Sequence, residues 1–153
     1  MNDVLDRNIN TQGTVNPNSN VTHQGTTNTL NPQQQYGDEE IVRAKDNVIG
    51  VGVSNKQDEN LGKIEDLAIY KRSGKIAYAV LSFGGIMGLG DKLFALPWNA
   101  ISYCPDREEF ILNRSKEELK TAPGFDKDNW PNMADKKWES SIHSYYGTTP
   151  FGA

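Results

Sequence analysis

The glycine-rich segment between Ser82 and Trp98 is the part of this chain whose residue types most suggest ligand chemistry. Four glycines lie between positions 84 and 90, followed by an Asp-Lys pair. A glycine loop holds a phosphate where it opens onto a helix N-terminus, because unpaired amides and the helix dipole bind the anion there. This loop lacks the Gly-Lys-Ser/Thr order and leads into Lys92–Trp98, which is typical of a strand. The glycines therefore predict a tight corner between two strands, where positive φ is needed.

The same loop carries apolar side chains at positions where water is expected. Ile86, Met87 and Leu89 either fold under the strands or form an apolar patch for a partner protein or a second copy of the chain. The candidate partner-binding residues are Gly85, Ile86, Met87, Gly88, Leu89, Gly90 and Asp91.

Catalytic and metal-binding combinations are not evident. Glu65 and Asp66 are adjacent on a predicted strand and should point to opposite faces, so they cannot share a substrate. Cys104 is the single cysteine; it cannot form an intramolecular disulfide and is expected to be a buried, small apolar residue. No base and orienting group accompany it at a recognisable spacing. The two histidines, His23 and His143, stand 120 positions apart and do not suggest a zinc site. We therefore expect no catalytic residue, metal or cofactor.

Three further groups have ordinary structural interpretations. His143 is expected away from the apolar stripe of its helix, as a surface or interface residue rather than a ligand. Lys71, Arg72 and Lys75 fall short of a nucleic-acid footprint and are interpreted as a solvated turn. A set of aromatic residues either forms a groove for a sugar, peptide or nucleobase, or packs the C-terminal segment onto the strands. The second interpretation is favoured for these residues: Trp98, Phe125, Trp130, Trp138, Tyr145 and Tyr146.

Six short strand-like runs with turn residues between them occupy the middle of the chain. Such spacing predicts a sandwich or barrel, and the glycines in the first run and around 84–90 favour the barrel because it needs sharp bends. The run Lys75–Phe83 is apolar on both faces, which indicates a strand covered on both sides. The predicted runs are Val48–Val53, Leu61–Tyr70, Lys75–Phe83, Leu93–Trp98, Ala100–Cys104 and Glu109–Asn113.

Two helices are predicted after the strands. Ser115 and Glu118 form a capping box for a short helix that ends near Thr121. An apolar stripe predicts a second helix over Ala134–Tyr146, with Gly147 ending it. The aromatic link Gly124–Met133 is expected to wrap against the strands.

The N-terminal segment has a different composition. Of the first 37 residues, 25 are Asn, Thr, Gln, Gly, Pro or Ser, too polar to offset chain entropy by burial. We therefore divide the chain into a disordered arm (1–40), a barrel domain (41–121) and a C-terminal extension (122–153).

Charge and hydropathy limit the function classes. The formal net charge is −4, with the signs interspersed, so a phosphate-backbone partner is not favoured. The N-terminus lacks the apolar region of a secretory signal, and no run approaches the length of a membrane span. We expect a cytoplasmic protein.

The order of motifs resembles the PRC-barrel superfamily, which includes the cytoplasmic domain of the photosynthetic reaction-centre H subunit and the C-terminal domain of a ribosome-maturation factor. The residues that carry the resemblance are Gly62–Leu67, Gly74–Val80 and Phe83–Gly85 through Pro97-Trp98, and the extension is similar to that of stand-alone bacterial members. The resemblance implies a mainly β protein: a six-stranded PRC-type barrel with a following helix, used as an assembly or docking module without catalytic residues. The polar arm replaces the membrane helix of the H subunit and the separate N-terminal barrel of the maturation factor.

Three functions follow as hypotheses. The first is a non-enzymatic protein-binding and assembly module, dimeric, that uses the loop around residues 85–91. The second is an RNA- or ribosome-associated maturation factor. The third is a small-ligand enzyme that uses an aromatic groove.

Overall fold

The computed structural model describes residues 40–84 and 92–152. Strands make up most of its regular structure, and three helices accompany them. The elements are α1 (Ala44–Asn47), β1 (Gly52–Ser54), β2 (Asn60–Ile69), β3 (Ile76–Phe83), β4 (Lys92–Pro97), a 3₁₀ turn (Trp98–Ala100), β5 (Ile101–Cys104), β6 (Glu109–Leu112), α2 (Lys116–Thr121), β7 (Phe125–Asp126) and α3 (Lys136–Tyr146).

The strands form one sheet in the order β5-β6-β1-β2-β3-β4-β7. All neighbours are antiparallel except β1 and β6, which run parallel. The mainly β, barrel-like fold is confirmed, but residues 40–84 and 92–152 contain seven strands rather than six, and their hydrogen-bonded ladder is open. The 3₁₀ turn at Trp98–Ala100 separates β4 from β5, and the free side of β4 is taken by β7 from the C-terminal extension. The prediction that the extension wraps against the strands is therefore confirmed.

The core is continuous and filled with apolar side chains. Consecutive residues Tyr78, Ala79, Val80 and Leu81 of β3 are all buried, as expected for a strand covered on both faces. Tyr78 meets Trp138 of α3 edge-on, with ring centroids 5.3 Å apart. The helix therefore supplies part of the cover on one face of the sheet.

The start of the domain differs from the prediction. Residues 48–50 form a turn after α1, and the first strand begins only at Gly52. The Val48 and Ile49 N–H groups both bond to the Ala44 carbonyl, and Gly50 has φ +86°. Residues 48–50 therefore cannot be part of the strand, because the Val48 and Ile49 N–H groups make helical hydrogen bonds and Gly50 has a left-handed conformation.

Both predicted helices are present with their predicted ends, but α3 begins at Lys136 rather than at Ala134. Ser115 and Glu118 form the reciprocal capping box of α2, and Asp135 caps α3 by accepting from the Lys137 N–H. Gly147 ends α3 in the left-handed conformation with φ +67°. These local signals fixed the helix boundaries because each satisfies backbone groups that a helix end leaves unpaired.

Gly62 allows β2 to lie against β3. It has φ +133°, and a Cβ built there would lie 2.1 Å from the Ser82 carbonyl oxygen. The neighbouring residue Lys63 is the register partner of Ser82. A side chain at position 62 would therefore push the two most extensively paired strands apart.

We expect Gly62→Ala to lower the free energy of unfolding by about 3 kcal/mol, since it combines backbone strain with a clash against main chain. Urea denaturation followed by circular dichroism measures the effect. Gly84→Ala is the matched control, because Gly84 has open space around its Cβ position and no positive φ. Equal stability of the two variants would contradict the role given to Gly62.

Asn55 is a buried polar residue at the end of β1, 1% exposed. Its side-chain oxygen accepts from the Gln57 and Glu59 N–H groups, both at 3.0 Å. Its side-chain nitrogen donates to Glu59 Oε2 at 2.6 Å and to the Arg114 carbonyl at 3.1 Å. All four hydrogen-bonding positions of the amide are therefore used, and they join the β1–β2 turn to the chain that follows β6.

An ionic network reinforces the same end of the sheet. Arg107, in the β5–β6 turn, pairs with Asp58 and with Glu109, each at 2.7 Å. Glu109 also accepts from the Ser54 hydroxyl at 2.7 Å. The contacts connect the β5–β6 hairpin to β1 and the turn that follows it.

Asn55→Ala should lower the free energy of unfolding by about 3 kcal/mol, because it leaves buried N–H and C=O groups without partners. Asn55→Asp should cost at least as much, since it keeps the acceptor but places a carboxylate against Glu59. Asn113→Ala, at an exposed asparagine close to Arg114, is the control and should be near neutral. Chemical denaturation of the three variants measures these changes in the free energy of unfolding. If Asn55→Ala is as stable as the unmodified protein, the buried amide does not stabilise the fold.

Candidate functional site

The candidate partner-binding residues Gly85, Ile86, Met87, Gly88, Leu89, Gly90 and Asp91 lie outside the described residues. The structure describes the chain on both sides of them. Phe83 and Lys92 are register partners, so residues 84–91 connect β3 to β4 as a hairpin. Lys92 begins a strand rather than a helix, as the sequence predicted, and Phe83 is buried edge-on against Phe94 with ring centroids 5.8 Å apart. The base of the hairpin is therefore anchored in the core.

Trp130 stands beside the base of this hairpin. Phe125 of β7 pairs with Leu93 of β4, and the Trp130 ring lies 5.0 Å from the Phe125 ring. The indole N–H donates to the Lys127 carbonyl at 2.8 Å, yet 44% of Trp130 is exposed. A tryptophan that is fixed in orientation and open to solvent is typical of binding hot spots.

Sequence reasoning had placed Trp130 among the packing aromatics. Trp130 does pack against Phe125 of β7. Because β7 is only two residues long, much of the tryptophan stays exposed. The charged neighbours Asp126, Lys127 and Asp128 indicate in the sequence that this segment lies at the surface and that Trp130 is exposed.

Gly124 explains how the extension reaches β4. A Cβ at this position would lie 2.8 Å from the Phe94 ring and 3.0 Å from the Leu93 carbonyl oxygen. The absence of a side chain lets the backbone approach β4 closely enough for β7 to pair with it. The position of Trp130 depends on that approach.

The remaining aromatic residues pack in separate pairs. Trp98 lies 5.6 Å from Phe110 between ring centroids, and Tyr145 lies 5.0 Å from Tyr146. The Trp98–Phe110 contact attaches the 3₁₀ turn to the sheet, and α3 is attached through Trp138 against Tyr78 and through Tyr146, which is buried in the core. The packing interpretation is confirmed for them.

The paired carboxylates are both exposed. A β-bulge between Ile64 and Asp66 breaks the regular alternation of β2, so Glu65 and Asp66 do not simply take opposite faces. Asp66 accepts from the Leu67 N–H at 2.8 Å. Neither residue lines the cavity described below.

The prediction for the basic turn is confirmed, whereas the prediction for Cys104 is wrong. Lys71, Arg72 and Lys75 are exposed around the β2–β3 turn as predicted, and Lys75 Nζ lies 3.7 Å from the centre of the Phe151 ring. Cys104 was expected to be buried but is partly exposed. It lies at the end of β5, the terminal strand of the sheet, where only one side of the backbone is covered.

A polar surface cavity of about 580 Å³ is lined by Gln57, Glu59, Asn113, Arg114, Ser115 and Glu118. Its charged groups already have structural partners. Arg114 donates to the Tyr145 carbonyl at 3.0 Å and lies 3.9 Å from Glu118. The Ser115 N–H holds the pKa of Glu118 below its usual value, and Glu59 accepts from Asn55. The cavity walls thus serve the helix cap and the Asn55 network.

His143 is buried inside the domain, whereas the sequence predicts it away from the apolar stripe of α3, at the surface or at an interface. Its Nδ1 lies 2.7 Å from the Thr148 hydroxyl, and its ring centroid is 5.7 Å from that of Tyr78. Nε2 is buried without a partner among the described residues. The prediction considered one stripe of α3, whereas the sheet and the segment after Gly147 cover a wider face.

Electrostatics around His143 favour the neutral imidazole. Burial lowers its pKa, and Glu139 on the preceding helical turn opposes that shift. Glu139 is itself buried and accepts from Lys136 at 2.6 Å. The Tyr78 hydroxyl is also buried without a described partner, and burial raises its pKa.

The barrel-like sheet, the capped helix after β6 and the docked extension define a small, mainly β domain. The PRC-barrel domain family model matches residues 40–119, more than half of the chain. The chain therefore belongs to the PRC-barrel family. No curated protein matches it.

Across residues 40–84 and 92–152, no helix combines the length and apolar character that a membrane span requires. Within the same residues, no three His, Cys, Asp or Glu side chains are grouped as metal ligands.

We expect the stability of the protein to fall between pH 7.5 and 5.5 because of His143. Its pKa is lowered in the folded state, so below the ordinary value of about 6.5 the unfolded chain binds more protons and is favoured. In His143→Asn, which removes the titrating ring, Tm should change less over this range. Melting curves at several pH values test this, and identical pH profiles for the two proteins would show that His143 does not control them.

Proposed function

We propose that this PRC-barrel protein is a non-enzymatic protein-binding and assembly module. It forms a homodimer and holds a protein partner through residues 85–91 together with Trp130. The observation that carries the proposal is the fixed, half-exposed indole of Trp130 beside the base of the β3–β4 hairpin. Tryptophan is the residue type most enriched among interface hot spots.

The filled interior supports binding at the surface. Leu61, Ile64, Leu81, Phe94 and Leu96 are fully buried and contact one another in a single cluster. A small barrel that is filled by side chains offers its loops and edges to a partner. An apolar loop then supplies contact area, and an aromatic anchor supplies most of the binding free energy.

The alternative is an RNA- or ribosome-associated factor. The exposed cluster of Lys71, Arg72 and Lys75 favours it, but three cations in a chain of net charge −4 supply little counterion release. Salt-sensitive co-sedimentation with ribosomal subunits would support this alternative over a protein partner.

Ile86→Asp, Met87→Asp and Trp130→Ala should each abolish or strongly weaken partner capture without changing the melting temperature. Loss of a hot-spot tryptophan costs about 2 kcal/mol, which weakens affinity roughly 30-fold. Quantitative affinity capture from native lysate, followed by mass spectrometry, measures the effect.

Ile69→Asp is the matched control, since Ile69 is 60% exposed and lies at the end of β2. It should behave as the unmodified protein does. If the loop and Trp130 variants retain the same capture profile as the control, the proposed site is wrong.

A further inference from the structure

The two ends of the sheet are chemically different. β5 pairs with β6 on one side only, and it is the terminal strand of the order β5-β6-β1-β2-β3-β4-β7. No strand within the described residues pairs with its outer edge. In an antiparallel strand, alternate residues direct their N–H and C=O groups to each side. At the two ends of β5 the backbone is engaged locally, since the Ile101 N–H bonds to the Trp98 carbonyl and the Cys104 carbonyl accepts from the Arg107 N–H. Between these ends, the outward-facing backbone groups of Ser102 or Tyr103 have no strand partner among the described residues and can pair with another extended strand.

β5 has neither the charged residues nor the proline that often prevent such pairing, and it is four residues long. Its sequence, Ile-Ser-Tyr-Cys, contains no charge and no proline. The opposite terminal strand, β7, is only two residues long and includes Asp126. Edge strands are commonly protected by lysine, proline or very short length. Of the two ends of the sheet, β5 is thus the one that can accept a strand.

Tyr103 supplies an aromatic contact on this edge. It is 51% exposed, and its ring meets Phe110 edge-on with centroids 5.2 Å apart. Phe110 is buried and also contacts Trp98. The tyrosine ring therefore has a fixed orientation and loses little conformational entropy when a partner covers its free side.

We propose that the outer edge of β5 binds β5 of a second copy of this chain in an antiparallel pair, and so joins two sheets across a two-fold axis. The inference rests on the homodimer in the proposed function and names its surface, which is separate from the partner-binding loop. Two neutral strands can meet although the whole chain is acidic, with net charge −4. An antiparallel strand pair is also self-complementary, as a two-fold interface requires.

The symmetry restricts the register. A two-fold axis perpendicular to the sheet places one residue opposite its own counterpart, and Ser102 or Tyr103 at that centre gives the greatest overlap. With strands about 4.8 Å apart and about 3.4 Å per residue, the Cα atoms of the two Cys104 residues would be about 8 Å apart for the Tyr103 centre. For the Ser102 centre they would be about 14 Å apart.

Cys104 makes the proposal testable in the full chain without an engineered residue. It is the single cysteine of the sequence and is partly exposed. A short bifunctional maleimide should therefore link two chains through their Cys104 residues and yield a covalent dimer on denaturing gels. Cys104→Ser should yield none.

Sedimentation equilibrium of variants tests the contact itself. Tyr103→Lys should raise the dimer dissociation constant at least tenfold, because it removes the aromatic contact and brings like charges together across the axis. Ser102→Lys, at an exposed position, is the second variant in case Tyr103→Lys is unstable. Ile69→Lys, a similarly exposed apolar residue on another strand, should remain dimeric.

The outcomes separate this inference from the proposed function. Cross-linking at Cys104, with dissociation by the β5 variants alone, supports the β5 interface. If the dimer persists in both β5 variants and is not cross-linked, the β5 interface is wrong. The homodimer and the partner-binding loop of the proposed function are not contradicted by that result. A protein that is monomeric at all concentrations overturns both the β5 interface and the dimer, whereas partner capture through Trp130 is decided by its own variants.

Discussion

The buried amide of Asn55 is the contact on which the arrangement of this domain depends. Parallel pairing of β1 with β6 brings together strands that lie far apart in sequence, and side-chain hydrogen bonds hold the joint. Asn55 connects the β1–β2 turn to the Arg114 carbonyl, and Arg107 connects Asp58 to Glu109. Each of these polar groups has a hydrogen-bond or ionic partner. A buried polar group without a partner would lower the free energy of unfolding by more than its hydrogen bond contributes.

The joint also positions the parts of the molecule assigned to function. It fixes the β5–β6 hairpin, and with it the open edge of β5. Arg114 extends the same network to the backbone of α3 through the Tyr145 carbonyl, so the helix is fixed against the sheet. At the other end of the sheet, Gly124 brings the extension onto β4 and places Trp130. The core is filled, and the proposed binding features lie at the two ends of the sheet.

At the interface between α3 and the sheet, apolar side chains pack beside two buried polar groups that are neutral, the Tyr78 hydroxyl and the His143 imidazole. Tyr78 and His143 face each other there, with Glu139 and its lysine partner at the margin. Sequence patterning predicted the helix but not the burial of His143, because periodicity identifies one face and cannot show that two elements cover it. The same limit applies to Trp130 and Cys104. How much of a side chain is exposed depends on the length of neighbouring strands, which composition does not reveal.

By itself the sequence determined what depends on neighbouring residues: the capping box at Ser115, the left-handed stop at Gly147, the strand that follows the glycine loop, and the apolar character of β3. Family resemblance added the PRC-type barrel with a following helix. Only the tertiary structure decided the seventh strand, the open ladder, the Asn55 network and the burial of His143. Each of these depends on contacts between segments distant in the chain, and their free energies come from burial and hydrogen bonds that exist only after folding.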